Sequence, residues 1–368
     1  MLTCEGKHAP MSIYIPFLTR KRHRILGLDI TSMAVKILEL SGQNGRYKVE
    51  HYGVATFPRH TIIDNDIKDL AVVAEAIKLA HARSLATTLY VAVAVPDSVT
   101  ITKTLVMDAS LSEEEMYEHV QLEAARHIPY PLDEVSLDFN ILGLNEKDNN
   151  KVDVLIVAAR NEHVYSRVEA ITQAGLIPKI VDVESFSMQR ICELMTPQLI
   201  DQGKKKTIAV IDIGSTFTTI VILHDLTMIY HHDQILGSYQ LTEAIQEHYS
   251  VSYEEAEKMK QEAGIADDYL PEILTPFREA FIPLIRRSFQ LFFSTNSYSE
   301  IDQILLVGGG ARTMGLAELI EERLSTPCVI GNPFLEMALG SQVNAAVMTA
   351  DAPKLMIATG LALRMFSQ

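Results

Sequence analysis

Cysteine is scarce in this chain of 368 residues, and tryptophan is absent. The three cysteines, Cys4, Cys192 and Cys328, lie far apart and form no C-x-x-C pair. An odd number of widely separated cysteines argues against both a disulfide framework and a zinc ribbon. This cysteine usage favours the cytosol over an oxidising compartment.

Basic residues are in the minority, because 32 Lys and Arg face 47 Asp and Glu, for a net charge of −15. Proteins that coat nucleic acid depend on a basic surface, so we expect no nucleic-acid partner. Unbroken apolar runs of the ~18–20 residues that span a bilayer are also missing from the sequence. Residues 1–24 place apolar residues before basic ones, the reverse of a signal peptide, and we expect a flexible leader there.

A motif that occurs twice is the most informative feature that the chain does contain. The stretch Leu28–Leu38 aligns with Ile211–Val221, 183 positions later. Each copy is an apolar run, an aspartate, a turn of small residues and a second apolar run, which predicts a β-hairpin. A repeat at this distance indicates two related domains. Two such hairpins facing each other would form a phosphate clamp with an acidic floor.

The turns of the two hairpins are candidate phosphate-binding loops, because small residues let backbone N–H groups approach phosphate oxygens. The candidate residues are Thr31, Ser32 and Met33 in the first turn and Gly214, Ser215 and Thr216 in the second. Asp29 and Asp212 precede the turns and could hold a hydrated Mg²⁺, which takes few carboxylates. A single aspartate before a turn is usually only a capping residue, but two matching copies favour the metal.

A glycine run, Gly308-Gly309-Gly310, follows an apolar strand and, with Ala311, precedes a helix. We interpret it as a shelf on which an adenine or ribose rests. A dinucleotide fingerprint would need glycine at position 313, where Thr313 stands, and a Walker A loop is absent as well.

Glu184 opens a predicted helix directly after a strand, and we take it with Asp212 as a candidate catalytic residue. As a base or water-positioning group Glu184 would have to face the cleft. The alternative is an ordinary acidic residue that the helix dipole favours. The cluster His231-His232-Asp233 has no third ligand nearby, so we expect no metal there.

The predicted elements divide the chain into several blocks. Residues 97–182 read as strand–helix–strand–strand–helix–strand, the ferredoxin-like βαββαβ unit, and we expect an inserted subdomain there. Its first helix begins with the capping box Ser112-x-x-Glu115, and a second capping box, Ser252-x-x-Glu255, starts a helix that ends at Gly264. The other expected blocks are a first-domain core (25–96 and 183–203), a second-domain core (204–240 and 301–368) and a helical subdomain (241–300).

Taken together, the Asp-bearing hairpins, the Gly308–Gly310 shelf and the closing Ala358-Thr359-Gly360 resemble the actin-like ATPase superfamily. More narrowly, Gly27–Ser32 with Val35-Lys36, the run Ile128–Val135 and Asp351-Ala352-Pro353 are similar to the PilM family, cytoplasmic actin-like proteins of type IV pilus assembly. The resemblance implies an α/β fold of two actin-like ATPase domains, with the 97–182 block as the first-domain insertion shared with FtsA.

This resemblance also implies ATP and Mg²⁺ as cofactors. It adds Lys36 to the nucleotide-binding set. The segment Ala256–Lys260 is similar to a segment of MreB, and this similarity adds Glu257 and Lys260. It places Glu184 where relatives keep a water-positioning acid. Many relatives have glycine where this chain has Thr31, so we expect ATP binding with at most weak hydrolysis.

The partner that the resemblance implies is PilN, whose N-terminal cytoplasmic segment would dock in a groove beside the inserted subdomain, with other inner-membrane pilus assembly proteins nearby. The 128–135 run is our candidate for the groove, and the expected location is the cytoplasmic face of the inner membrane. Two alternatives in the same superfamily stay open: a small-molecule kinase and a filament-forming FtsA-like protein. The sequence ends just after its last predicted helix, so we expect no membrane tail of the FtsA kind.

Overall fold

The computed structural model describes residues 24–43, 45–262 and 267–366. The predicted flexible leader at 1–24 lies outside these ranges except for Arg24. The predicted helix end at Gly264 lies outside them as well.

Strands and helices are interspersed along the described chain. The strands are β1 (Leu26–Ile30), β2 (Ala34–Gln43), β3 (Arg46–Thr56), β4 (Ile62–Ile63), β5 (Asp66–Ile67), β6 (Tyr90–Val95), β7 (Thr100–Asp108), β8 (Val135–Asn145), β9 (Asp148–Arg160), β10 (Ile177–Val183), β11 (Thr207–Ile213), β12 (Thr218–His224), β13 (Thr227–Gln234), β14 (Gln303–Val307), β15 (Cys328–Ile330) and β16 (Ala338–Leu339). The helices are α1 (Leu70–Ser84), α2 (Glu113–His127), α3 (Asn161–Gln173), α4 (Glu184–Leu194), α5 (Ser238–Tyr249), α6 (Tyr253–Glu262), α7 (Thr275–Thr295), α8 (Leu316–Leu324), α9 (Ala345–Asp351) and α10 (Met356–Ala362).

The chain forms two compact units. The first contains the residues up to Leu40, His51–Phe186 and the residues from Leu361 onward, and the second contains Ser41–Glu50 and Ser187–Gly360.

The first unit is built on a sheet whose strands follow the order β10-β6-β1-β2-β3. β1 is antiparallel to β2 and parallel to β6, which is parallel to β10. Every residue of β1 is buried, as expected for a strand with both faces covered. Asp69 caps α1, which packs its apolar side against this sheet together with α3.

The second unit repeats this topology. Its sheet follows the order β13-β12-β11-β14-β15, with β11 antiparallel to β12 and parallel to β14. α7 supplies a stripe of phenylalanines to the core, where Phe281 and Phe292 are fully buried. In the same unit β16 pairs with the first residues of β3. The central hairpin of each sheet is the motif that the sequence repeats.

The predicted ferredoxin-like βαββαβ subdomain is wrong in its last two elements. β7, β9 and β8 form a separate antiparallel sheet in that order, and α2, with both hydrogen bonds of its capping box, covers one face of it. The fourth strand, β10, instead pairs parallel to β6 in the main sheet, and α3 packs beside α1. The apolar Val181 and Val183 are buried in that sheet, so the inserted part is βαββ alone.

The C-terminal stretch Ala345–Met365 also departs from expectation. Its length and composition would allow it to cross a membrane, whereas we expected no such stretch from the sequence. However, 67 % of its most apolar window is buried. It is divided into α9, a 3-10 turn at Pro353, α10 and a final 3-10 turn, and the closing helix that the sequence predicts corresponds to the part from α10 onward. A helical stretch that is interrupted and mostly buried is typical of the core of a folded domain.

Candidate functional site

Hydrogen bonds from Thr31 close the turn of the first Asp-bearing hairpin. The Thr31 N–H donates to the Ala34 carbonyl at 2.9 Å, and the Thr31 hydroxyl donates to the same oxygen at 3.0 Å. The Met33 carbonyl accepts a hydrogen bond from the Phe57 N–H. Ser32 and Met33 are half-buried in this turn. The Thr31 N–H is thus committed to the turn rather than directed at a ligand.

Asp29 and Lys36 form a buried ion pair across this hairpin. The two residues lie opposite each other in the β1–β2 register, and the Lys36 Nζ lies 2.7 Å from Asp29 Oδ2. Their side chains are 3 % and 13 % exposed. The Asp29 carboxylate therefore has its counter-charge within the protein.

Glu184 is the first residue of α4, directly after β10, and its side chain is half-buried. The next residue, Ser185, donates its backbone N–H to Asp97 Oδ2 at 2.9 Å, and its hydroxyl donates to the other oxygen of Asp97. Asp97 follows β6, so β1, β6 and β10 each carry an acidic residue at the carboxyl end, where ligands of open parallel sheets bind. The sequence analysis missed Asp97, although its place after a strand that ends at Pro96 was a usable signal.

A buried arginine lies within electrostatic reach of Glu184. The Arg167 side chain is 1 % exposed, and it donates to the carbonyls of His163 at 2.9 Å and Asn65 at 3.2 Å. Burial lowers the pKa of Arg167, while the negative charges of Glu184 and Asp66 oppose that shift. Glu184 is therefore a partner of a buried cation, whatever further role it has.

The second hairpin has the same turn. The Gly214 N–H donates to the Phe217 carbonyl at 2.9 Å, the equivalent of the Thr31 bond. The carbonyls of Gly214 and Ser215 accept hydrogen bonds from Ser238 and Tyr239 at the start of α5. Thr216 is half-buried beside them. This turn is therefore joined to the helical part of its own unit.

Asp212 lies in β11 with Thr219 opposite it on β12, at the position that Lys36 occupies in the first hairpin. On its other side Asp212 approaches Gly308, where an added Cβ would meet Asp212 Oδ1 at 2.2 Å and the Ile213 carbonyl at 2.5 Å. Gly308 also has a φ of +87°. Both space and conformation therefore require glycine at this position.

The predicted glycine shelf presents only one of its residues to solvent. The N–H groups of Gly308, Gly310 and Ala311 donate to backbone carbonyls, and all three residues are buried. Gly309 is exposed, and a Cβ built on it would meet nothing within 4 Å. The shelf surface is therefore the backbone at Gly309.

Glu257 and Lys260 meet on one side of α6. The Lys260 Nζ donates to Glu257 and, at 2.8 Å, to the hydroxyl of the buried Thr242 on α5, which itself donates to Glu257. Lys260 also reaches the Ser238 carbonyl at 3.5 Å, next to the second turn. Consecutive contacts in the second unit thus link Glu257 and Lys260 to the Gly214 turn and, beyond it, to Asp212 and Gly308. The sequence analysis missed Thr242.

Within the first unit, a groove with a cavity of ≈ 180 Å³ opens beside the inserted sheet. The residues that line it are Ser98–Ile101, Ile128–Tyr130, Val135, Ala158–Arg160 and His163. The Arg160 guanidinium lies over the Tyr130 ring, 5.3 Å from its centroid. Most of the other lining side chains are apolar. The 128–135 run that the sequence singled out forms one wall of this groove.

Comparisons with known proteins place the chain in a family. The profile of the type IV pilus assembly protein PilM matches residues 27–366. A chain in a solved PilM–PilN type IV pilus biogenesis complex is 27 % identical, with a TM-score of 0.78 over 94 % of this chain and 100 % of that one.

Two further solved structures show the fold at lower identity. The ethanolamine utilization protein EutJ from Carboxydothermus hydrogenoformans is 13 % identical, with a TM-score of 0.56 over 92 % of this chain and 88 % of its own. A diol dehydratase-reactivating factor in nucleotide-free form is 10 % identical, with a TM-score of 0.52 over 93 % and 99 %.

This chain therefore belongs to the PilM family of type IV pilus assembly proteins. The predicted α/β fold of the actin-like ATPase class is confirmed.

The Asp29–Lys36 pair gives a direct test of the first hairpin. We expect Lys36→Met to lower the free energy of unfolding by about 3–5 kcal/mol, because it leaves a buried carboxylate without its counter-charge. The double variant Asp29→Asn/Lys36→Met should regain most of that loss in urea unfolding. Equal stability of Lys36→Met and wild type would show that the pair does not carry the charge balance of this hairpin.

Proposed function

We propose that this PilM-family chain is an ATP-binding, actin-like scaffold of the type IV pilus machinery. It docks at the cytoplasmic face of the inner membrane through the N-terminal segment of PilN, and its nucleotide state sets its affinity for that partner. The observation that carries the proposal is the duplicated Asp-bearing hairpin at the centre of both sheets, in a chain that belongs to this family.

The contacts within the second unit support a nucleotide site. The Gly214–Thr216 turn offers backbone to a phosphate, and the exposed Gly309 offers backbone to a ring. The cation Lys260 reaches the carbonyl of Ser238, whose N–H donates to Gly214 in the turn. In the first unit, Lys36, the ion-pair partner of Asp29, is the cation that we propose for a phosphate. The proposed ligands in the first unit are Thr31, Ser32, Met33 and Lys36. Those in the second unit are Gly214, Ser215, Thr216, Glu257, Lys260, Gly308, Gly309, Gly310 and Ala311, of which the buried glycines and Ala311 shape the surface rather than donate to a ligand.

The two aspartates differ in how well they fit Mg²⁺. Asp29 is already neutralised by Lys36, so a metal would have to compete with a bound cation. Asp212 has a threonine in place of that lysine, and it is the better candidate for a hydrated ion, which needs few carboxylates. Among the described residues no group of three or more His, Cys, Asp or Glu side chains is arranged to hold a metal ion alone, which agrees with a metal that arrives with ATP. Its chemistry there would be to neutralise phosphate charge.

Hydrolysis is expected to be weak. Two features support this: Thr31 stands where many relatives have glycine, and the Glu184 carboxylate already has the buried cation Arg167 as a partner. Binding of ATP, which requires no proton transfer, does not depend on that group.

The groove of the first unit is suited to an extended peptide. Its walls combine apolar side chains with a Tyr130–Arg160 pair, and an extended segment can offer alternate side chains to pockets along such a groove. A solved complex of relatives joins PilM to PilN. We therefore assign the groove to the PilN segment, which explains how this chain would be held at a membrane through a partner.

Nucleotide binding is tested by thermal unfolding of nucleotide-stripped protein. Mg-ATP at 100-fold over its Kd should stabilise the wild type by about 2.7 kcal/mol, and Asp212→Asn should lose most of that gain. The exposed helical residue Glu322 provides a control, because Glu322→Gln should respond as the wild type does. Stripped wild-type protein with no shift in Mg-ATP would contradict the proposed nucleotide site.

Partner binding is tested with a synthetic PilN N-terminal peptide and isothermal titration calorimetry. Tyr130→Ala removes an aromatic wall of the groove and should weaken binding about tenfold, since a buried aromatic contributes on the order of 1–3 kcal/mol at an interface. Tyr165→Ala, an exposed tyrosine outside the groove, is the matched control and should leave the affinity unchanged. Equal loss in both variants, or in neither, would rule out this groove.

A further inference from the structure

The turn that follows β6 makes hydrogen bonds in two directions. It consists of Asp97–Val99 in a 3-10 conformation, and it leads into Thr100, the first residue of β7. The Asp97 carboxylate accepts hydrogen bonds from the N–H and the hydroxyl of Ser185. The Asp97 carbonyl accepts the N–H of Thr100 and, at 3.0 Å, its hydroxyl. Asp97 is therefore bonded on one side to the start of α4 and on the other side to the first strand of the inserted sheet.

The bonds of the Asp97 carboxylate fix the residue beside Glu184. The first N–H groups of a helix have no partner within the helix and need acceptors from elsewhere. Asp97 supplies one to α4 from 88 positions away in the chain. Ser185 is itself buried, with 2 % of its surface exposed, so both of its bonds to Asp97 are shielded from water. A displacement of Glu184 at the start of α4 therefore reaches Asp97 directly.

The bonds of the Asp97 backbone fix one wall of the groove, because residues 98–101 belong to the groove lining. The Val99 N–H donates to the Pro96 carbonyl at 3.2 Å, and the proline ring holds φ of Pro96 at −63°. A short turn that is closed by its own hydrogen bonds moves as a unit. A shift of Asp97 is therefore transmitted to residues 98–101.

A second series of contacts joins the same two regions. The Ser98 hydroxyl accepts a hydrogen bond from the Asn65 side chain at 2.8 Å. The Asn65 carbonyl in turn accepts one from Arg167 at 3.2 Å, and Arg167 is the buried cation whose charge interacts with Glu184. This second route from Glu184 toward the groove ends at the same turn.

We propose that Asp97 is the positioning residue through which nucleotide and partner segment affect each other's affinity. This inference rests on the proposed function, because it assigns the coupling between the two proposed sites to one residue. A change at the start of α4 on nucleotide binding moves Asp97 and, with it, the wall formed by residues 98–101. By reciprocity, a peptide that holds this wall in one position favours one nucleotide state.

The test compares the Kd of the PilN N-terminal peptide for nucleotide-stripped protein with the Kd for protein saturated with Mg-ATP, by calorimetry on the full-length chain. For the wild type the two values should differ by at least about fivefold. Asp97→Ala removes both bonds to Ser185 and should bring the two values within about twofold of each other. Asp97→Asn keeps the size of the side chain but only one acceptor oxygen. It should also lower the ratio, and it decides the question if Asp97→Ala is not folded.

Asp69→Ala is the matched control. Asp69 also caps a helix of the first unit, because its carboxylate accepts the Val72 N–H at 3.1 Å, but it lies outside the groove lining. Its loss should lower stability in a similar way and leave the fivefold ratio unchanged. Circular dichroism identifies any variant that is not folded, and thermal unfolding with and without Mg-ATP shows whether each variant binds nucleotide.

Three results with the variants would overturn the role of Asp97 while leaving the groove assignment intact. These are a wild-type ratio in both Asp97 variants, an equal loss of the ratio in Asp69→Ala, and failure of the folded Asp97 variants to bind Mg-ATP. The last would place Asp97 in the nucleotide site itself. A wild type that binds both ligands but shows one Kd for the peptide would also overturn it, whereas a wild type that does not bind the peptide at all would refute the proposed function.

Discussion

A carboxylate at the end of a buried strand requires compensating interactions from the protein around it, and this constraint applies in both units of the molecule. In the first hairpin Asp29 is held by Lys36 directly across the strand pair. In the second hairpin the lysine position is Thr219, and the close approach to Asp212 is made by Gly308. One topology therefore carries two hairpins that differ in the residue facing the aspartate, Lys36 in the first and Thr219 in the second.

The repeated sheet order explains why acidic residues gather where they do. In the first unit the carboxyl ends of β1, β6 and β10 lie at one edge of the sheet, and this edge carries Asp29, Asp97 and Glu184. The βαββ insertion follows β6 and creates a groove on the same unit. α3 connects these regions, because Arg167 lies within electrostatic reach of Glu184 while His163, one turn away, lines the groove. The proposed nucleotide site and the proposed partner groove are therefore connected through one helix.

Much of this arrangement could be predicted from sequence, because it depends on local patterns. The two hairpins and the capping boxes at Ser112 and Ser252 all lie where the sequence indicated. Long-range pairing could not be predicted in the same way. β10 has a pattern that fits either the inserted sheet or the main sheet, and only burial against β6 decides between them. The two-residue strand β16 is too short to show periodicity.

For the candidate site, too, the sequence predicts what depends on local patterns and not what depends on long-range contacts. Residues adjacent in sequence to a turn, such as Thr31 and Gly214, were identifiable, but the use of their N–H groups to close the turns was not. Thr242, Asp97 and Arg167 act through partners that are distant in the chain, so no local pattern marks them. Of these contacts, those of Asp97 and Arg167 are the ones that support the proposed coupling of nucleotide to partner.

That coupling is the central claim, and one measurement tests it most directly. The Kd of the PilN N-terminal peptide should be determined by calorimetry for nucleotide-stripped protein and for protein saturated with Mg-ATP. The account predicts that the two values differ by at least about fivefold, which corresponds to a coupling free energy of about 1 kcal/mol. Identical values, with both ligands shown to bind, would contradict it, because two sites without mutual effect on affinity cannot form a nucleotide-controlled scaffold.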